Sequence, residues 1–487
     1  MVEIKTTCPY CGVGCGLVVS QDDDKRYSVS GDKNHPANFG RLCSKGSALA
    51  ETLDLENRLL QPVVNGDQCD WEVALNTVAS RFQQVIEQHG PEAVAFYVSG
   101  QLLTEDYYVA NKLMKGFIGS ANIDTNSRLC MSSSVAGHKR AFGSDTVPGC
   151  YEDIEQCELL LLTGSNTAWC HPVLYQRIVQ AKKNNPQMKV VVIDPRRTAT
   201  CDIADLHLAL KPGTDAILFN GLLSWLYERG HGDAQFVTEH TEGLEEALRV
   251  TQWFAPTVEA VAQHCELTID AVTKLYQWFS KTEKTVTVYS QGINQSSSGT
   301  DKVNAIINCH LLTGRIGKPA MGPFSVTGQP NAMGGREVGA LSNQLAAHMD
   351  FNSDDIDRVG RFWQAPNMAT RPGLKTVDLF EAMHRGEVKA LWVIATNPAV
   401  SMPDASRVRQ AMQQCDFVVV SDCAAQTDTT VLANVLLPAL TWGEKSGTVT
   451  NSERCISRQR PFLEAPGQPK ADWWILAQVA QRMGYHG

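Results

Sequence analysis

No stretch of the sequence approaches the roughly 18 consecutive apolar residues of a membrane span, so a helical transmembrane role is excluded. Long runs of one charge are missing as well. The net charge of -9 is spread over 43 basic and 52 acidic residues. That leaves no electrostatic footprint for nucleic acid, whose phosphates demand clustered Lys and Arg. There is no low-complexity linker and no fixed-period repeat, which rules out a repeat array and leaves domain boundaries open by tens of residues. Met1 to Thr7 lacks the basic and apolar regions of a secretory signal, so a cytoplasmic chain is expected. What remains is a folded, water-soluble composition, 43% hydrophobic and 20% charged. At 487 residues the chain is too long for one hydrophobic core and implies two to four domains.

Cysteine, by contrast, is plentiful, with 15 residues. Disulfides are a poor use for them in a reducing compartment, so metal ligation becomes the leading question. Ten are scattered singly, at 69, 150, 157, 170, 201, 265, 309, 415, 423 and 455, and read as small buried hydrophobes. The other five stand in distinctive surroundings.

Several short apolar runs end in polar or glycine-containing loops. Ala93 to Val98 precedes Ser99-Gly100, Leu159 to Leu162 precedes Thr163-Gly164-Ser165-Asn166, and Val190 to Ile193 precedes Asp194-Pro195-Arg196-Arg197. Val286 to Tyr289, Leu391 to Ile394 and Phe417 to Val420 repeat the form. Helical spacing between them, as in Pro172 to Lys183 and Ala216 to Glu228, predicts alternating strands and helices and a parallel-sheet α/β architecture. Ligands bind such sheets at the carboxyl ends of strands, where these loops fall. Taken singly, any of the loops is ordinary turn chemistry.

Cys8-x2-Cys11-x3-Cys15, followed after 27 residues by Cys43, offers three thiolates from one tight loop and a fourth from a distance. Gly12, Gly14 and Gly16 would let the backbone wrap a bulky cluster and point amides at its sulfurs. A 4Fe-4S cluster is the reading. The alternative is a four-cysteine zinc site, although paired C-x2-C knuckles would be usual there and Cys43 has no cysteine close by. Lys45, just after the fourth ligand, reads by itself as a solvated surface residue.

These residues carry a resemblance. The opening Cys-Pro-Tyr-Cys-Gly-Val-Gly-Cys, the block Arg41 to Gly46, Trp71 to Leu75 and Asn126-Ser127-Arg128-Leu129-Cys130-Met131 resemble the molybdopterin oxidoreductase family. Gly143 to Ile154, Thr163 to Pro172, Ser325 to Gly339 and Glu444 to Gly447 extend the likeness over essentially the whole chain. Within the family the sequence is most similar to the bacterial assimilatory nitrate reductases. The resemblance implies a small N-terminal iron-sulfur domain and two discontinuous parallel-sheet α/β domains around a molybdopterin cofactor. Residues 1–60 would carry the cluster, with 430–487 available to complete that domain. Residues 61–130 with 311–429 would form one molybdopterin domain, and 131–310 a Rossmann-like dinucleotide domain.

The implied cofactor is bis(molybdopterin guanine dinucleotide) with molybdenum, and Cys130 matches its protein ligand. A soft thiolate is a competent donor to such a metal. Lys45 would sit between the cluster and one pterin. Cofactor contacts are implied for Gln101, Asn126, Gly164, Ser165, Asn166, Asp194, Arg196, Arg197, Thr198, Gly213, Thr214, Asp215, Gln329, Asn397, Ser421, Asp422, Lys445 and Asp472. Cations among them suit diphosphate, and carboxylates accept from guanine or ribose. The implied reaction is oxygen-atom transfer from nitrate to give nitrite, with electrons from ferredoxin, flavodoxin or a flavoprotein NAD(P)H reductase subunit. Arg336 is the candidate cation for the anionic substrate. Family members continue into a further C-terminal domain that closes over the pterins, and the sequence ends at Gly487, so that domain is expected to be absent.

Rival readings share parts of this pattern. Formate dehydrogenases keep the cluster and cofactor, but there a histidine typically follows the metal-binding residue and handles the substrate proton. Met131 follows Cys130 here and cannot titrate. An electron-carrying subunit like the large iron-sulfur subunit of respiratory NADH dehydrogenase keeps the fold without molybdenum; retention of Cys130 argues against it. A nicotinamide dehydrogenase is a poor match, since Gly164-Ser165-Asn166 is not a G-x-G-x-x-G turn.

Overall fold

The computed structural model describes residues 2–486. The apolar runs form strands Val94–Val98, Leu159–Thr163, Lys189–Ile193, Thr285–Tyr289, Ala390–Ile394 and Phe417–Asp422, each within two residues of its expected position. Every residue of Leu159–Thr163 and Ala390–Ile394 is buried. Helices cover both faces of such strands, which is why the runs are continuously apolar instead of alternating.

The strands divide between two sheets. One holds five parallel strands in the order Leu206–Leu208, Lys189–Ile193, Leu159–Thr163, Thr285–Tyr289, Gly322–Ser325. The other has seven, in the order Asp67–Gln68, Val63–Val64, Val435–Pro438, Phe417–Asp422, Ala390–Ile394, Val94–Val98, Ile123–Thr125. Its last five are parallel, while the first two form an antiparallel edge that the sequence pattern did not reveal. In each sheet the chain builds outward one way, leaves, and returns to build the other way. The resulting switch points lie between Leu159–Thr163 and Thr285–Tyr289, and between Val94–Val98 and Ala390–Ile394. Crevices for ligands open at such points.

Helices Trp71–His89 and Asp472–Arg482 lie on one face of the seven-stranded sheet, where Leu75, Phe82, Ile475 and Val479 join Phe96 and Trp392 in one core. Thr376–His384 and Ala405–Gln414 cover the opposite face through Leu379, Met383, Val408 and Met412. Helix Pro172–Asn184 begins with proline, whose missing N–H costs nothing in a first turn. It covers one face of the five-stranded sheet, and Asp215–Glu228 the other.

Strands Val2–Thr7, Gly16–Gln21 and Tyr27–Gly31 form a separate antiparallel sheet, with the Cys8 to Cys15 loop between the first two. Residues from the far end of the chain close on that loop. Trp442 Nε1 donates to the Thr7 carbonyl at 2.8 Å, the Ser452 amide to Gly12 at 2.8 Å, and Asn451 Nδ2 to Val13 at 3.1 Å. A π-helical stretch, Lys112–Ile118, buries Lys115 completely. Its ammonium donates to the carbonyls of Leu341 at 3.0 Å, Gln344 at 2.8 Å and Gly339, so three acceptors compensate the lost water.

Candidate active site

A cavity of about 790 Å³ opens at the switch point of the seven-stranded sheet. Asn126 organises its wall. Its Oδ1 accepts the Gly100 amide at 2.9 Å and its Nδ2 reaches Thr396 Oγ1 at 3.2 Å, which joins the loops after three neighbouring strands. Ala395, also lining the cavity, holds a left-handed backbone with φ of 55°. A side chain in that region carries strain, and such strain concentrates at functional sites.

Cys130 faces this cavity because its helix breaks immediately afterwards. Helix Ser127–Phe142 loses helical geometry at Met131, with φ of -143° and ψ of 20°. Met131 is turned into the core at 1% exposure, whereas Cys130 lines the opening. Gln291 Nε2 lies 3.0 Å from the Cys130 sulfur, and the Gly328 amide also donates to it. Burial pushes the thiol up, and these two donors pull it back toward the thiolate.

Arg336 stands behind this point, without lining the cavity. Its guanidinium pairs with the Asp145 carboxylate through two bonds, both side chains 2% exposed. Its Nη1 lies 3.0 Å from the Met333 sulfur and 3.8 Å from that of Met131. Burial draws its pKa down to about 9, so it stays a cation at neutral pH. The cation that the sequence offers for an anionic substrate is thus already paired with Asp145.

The loop with Cys8, Cys11 and Cys15 borders the same cavity through Pro9 and Tyr10. None of the four N-terminal cysteines is in a disulfide. Burial, reinforced by the neighbouring cysteines, pushes the Cys8 thiol up to about 12 and raises those of Cys11 and Cys15. The four sulfurs are thus close enough to feel one another. Among the described residues no three metal-binding side chains are grouped to hold a single ion. Gly14, with φ of 70°, leaves no room for a side chain, since a Cβ there would lie 2.5 Å from the Cβ of Asn451. Lys45 is exposed, and its Nζ stands 5.6 Å from the ring centre of Tyr10.

At the far wall the half-buried Lys445 places its Nζ 3.6 Å from buried Asp472 and 4.0 Å from buried Asp106. Burial raises the Asp472 pKa against the pull of Lys445, and Asp106 and Asp422 add to the rise. Against burial, the two carboxylates raise that of Lys445. Both Asp472 oxygens, Gln329 Oε1 and Gln459 Nε2 line the cavity without a hydrogen-bond partner. Unpartnered buried polar atoms converging on a cavity fit a polar ligand with both donors and acceptors, as a pterin or a purine is.

Of the other expected contacts, Gln101, Asn397 and Asp422 also line this cavity, whereas the Ser421 hydroxyl is occupied by Trp392 Nε1 at 2.8 Å. The remaining set gathers at the carboxyl end of the five-stranded sheet. Gly164 adopts φ of 54° there, and Ser165 and Asn166 bond Thr167 and Thr200. Asp194 accepts the Arg196 amide at 2.8 Å, and Thr198 accepts the Thr200 amide. Gly213 and Thr214 shape the next turn, where the Thr214 hydroxyl donates to Lys211. Arg196 and Arg197 are exposed, with no ion pair among the described residues. Asp215 is paired with buried Lys302 at 2.7 Å. Sequence reasoning missed Asp106, Asp145 and Gln291, whose partners are distant in sequence. It also missed Tyr10 and Cys423, which stand beside residues it did select.

Residues 1–54 match the molybdopterin oxidoreductase Fe4S4 domain, and residues 58–482 match the molybdopterin oxidoreductase family. A nitrate reductase of Klebsiella oxytoca is 57% identical over 100% of this chain and 55% of its own length. One from Shewanella frigidimarina is 49% identical over 100% of this chain and 53% of its own length. The chain thus spans about half the length of these relatives. The alpha subunit of an F420-dependent formate dehydrogenase from Methanococcus maripaludis is 32% identical over 99% of this chain and 71% of its own length. Among solved structures, acetylene hydratase from Pelobacter acetylenicus shares the fold with a TM-score of 0.81 at 19% identity, over 99% of this chain and 69% of that one. With the Fe4S4 match spanning all four N-terminal cysteines and the longer match spanning both sheets and the cavity, the chain belongs to the molybdopterin oxidoreductase family.

Proposed function

We propose that this chain carries the cluster-binding and molybdenum-binding part of an enzyme that reduces nitrate to nitrite. The observation that carries this reading is at Cys130, where a thiol on the cavity wall is followed by a buried thioether and not by a titratable side chain. Oxygen-atom transfer needs no base at that place, whereas formate oxidation has a proton to remove. The two nitrate reductases compared above, at 57% and 49% identity, support the same choice. The formate dehydrogenase relative keeps that reaction as the second reading, at 32% identity.

When bound, the molybdenum cofactor, read as bis(molybdopterin guanine dinucleotide), supplies two-electron oxygen-atom chemistry, and the 4Fe-4S cluster feeds it single electrons. In this proposal Cys8, Cys11, Cys15 and Cys43 hold the cluster and Cys130 the molybdenum. Gln101, Asn126, Gln329, Asn397, Asp422, Lys445 and Asp472 hold one pterin nucleotide, with its donors received by the unpartnered carboxylate and amide oxygens. The loops at Gly164 to Asn166, Asp194 to Thr198 and Gly213 to Asp215 hold the other. Met131 packs behind Cys130 as an apolar, polarisable side chain. Arg336, tied to Asp145, positions Met131. Lys45 and Tyr10 shorten the path between cluster and cavity. The domain limits given above belong to this proposal. Ferredoxin, flavodoxin or a flavoprotein subunit is the proposed donor, in the cytoplasm, where fifteen unpaired cysteines are at home. No described helix is long and apolar enough to cross a membrane.

The test supplies nitrate with reduced viologen, and separately formate with oxidised viologen, to molybdenum-replete holoenzyme. Nitrite formation with negligible formate oxidation is expected. Rapid formate oxidation without nitrite would overturn the substrate and leave the cofactor reading in place. Iron without molybdenum would favour an electron-carrying subunit instead.

A further inference from the structure

The amide of Gln291 has no part in the scheme above, yet it hydrogen-bonds the Cys130 sulfur. Its Nε2 lies 3.0 Å from the sulfur. The orientation of the amide is fixed, because the Ser290 hydroxyl donates to Oε1, and a thiolate can only accept. The backbone beneath it is equally fixed. The Gly292 amide donates to the Gly164 carbonyl at 2.9 Å, and a Cβ at Gly292 would lie 2.6 Å from the Gly164 Cα. Two residues further on, Asn294 Oδ1 accepts from the Ser134 amide at 2.8 Å and hydroxyl at 2.6 Å, while its carbonyl accepts from Ser133 at 2.7 Å. Gln291 is therefore stitched on one side to the switch point of the five-stranded sheet and on the other to the helix that carries Cys130. Gly328 completes the setting, since a Cβ there would come to 3.4 Å of both the sulfur and Gln291 Nε2.

We propose that Gln291 is a positioning residue for Cys130, fixing the sulfur's direction and withdrawing charge from it, and so setting the reduction potential of the metal which that sulfur binds. The proposal rests on the reading of Cys130 as the molybdenum ligand. A hydrogen bond to a metal-bound thiolate weakens its electron donation and makes the lower oxidation states easier to reach. Removing the donor should therefore lower the molybdenum midpoint potentials.

Redox titration of the holoenzyme, followed by the Mo(V) paramagnetic resonance signal, tests this with two variants. Gln291→Met keeps the volume without a donor, and Gln291→Glu keeps the shape and adds negative charge. Both should titrate at lower potential than the parent, Gln291→Glu the lower, with the cluster potential unmoved as internal reference. A role in packing alone predicts parental potentials in the Met variant, and that result overturns the proposal. Cys130→Ser separates the two readings. If it leaves the Mo(V) spectrum unchanged, Cys130 is not the ligand and both fall. If it alters the spectrum while Gln291→Met keeps parental potentials, only the role of Gln291 falls.

Discussion

Arg336 and Asp145, 191 positions apart in the chain, meet in a two-bonded ion pair from which water is almost entirely excluded. Removing one member of such a pair leaves the other charge buried without compensation, at a cost of about 3–5 kcal/mol. Arg336→Ala should therefore lower the urea midpoint strongly, while Arg336→Met combined with Asp145→Asn should recover most of the loss. An Arg336→Ala enzyme of parental stability, altered only in the KM for nitrate, would return this residue to the role of a substrate-binding cation.

Cys15→Ser removes a thiol whose burial and neighbouring cysteines already oppose ionisation without metal. Protein prepared without oxygen should fall from about four irons per chain to a small fraction of that and lose its visible absorbance. One equivalent of zinc in the parent, with no iron, would end the electron-supply scheme.

Lys45→Met removes the cation beside Tyr10 with little change in volume. Iron and molybdenum contents should stay parental while electron transfer between the centres slows severalfold, as read by rapid reduction in stopped flow. Parental rates would mark Lys45 as surface charge only.

Three buried histidines give the fold a marked acid sensitivity. Burial lowers the pKa of His138 and His310 to about 3 and that of His171 to about 4. In the unfolded chain each takes up a proton near pH 6.5, so between there and about pH 4 the unfolded state binds more protons. Stability is then complete above about pH 6.5 and falls as pH drops, by up to roughly 1.4 kcal/mol per unit for each residue. Urea midpoints at pH 7, 6 and 5 should decline with increasing slope. His310→Asn, which removes the titrating group beside Thr287, should flatten the decline.

Strands such as Leu159–Thr163 and helices such as Pro172–Asn184 were legible in the sequence because their signals are local, an apolar run or a periodic face ended by turn residues. The loops around the cavity were legible for the same reason, since carboxyl ends of parallel strands are where ligands bind. The environment of each side chain was not. Gln291 lies 161 positions from Cys130, and Lys115 lies 224 or more from its three carbonyls. No local pattern encodes such pairings. The short edge strands Val63–Val64 and Asp67–Gln68 escaped because two residues are too few for any period to show.

The bonds that close the cysteine loop also impose a timetable on the making of this protein. Trp442 anchors Thr7 across 435 positions of sequence, and Asn451 anchors Val13 across 438. At synthesis rates of about 5–20 residues per second, the loop waits roughly 20 to 90 s on the ribosome before these partners exist. Through that interval its three cysteines are exposed to oxidants and stray metals. The loop's final hydrogen-bonded geometry is thereby set late, only after the chain has been made through Ser452.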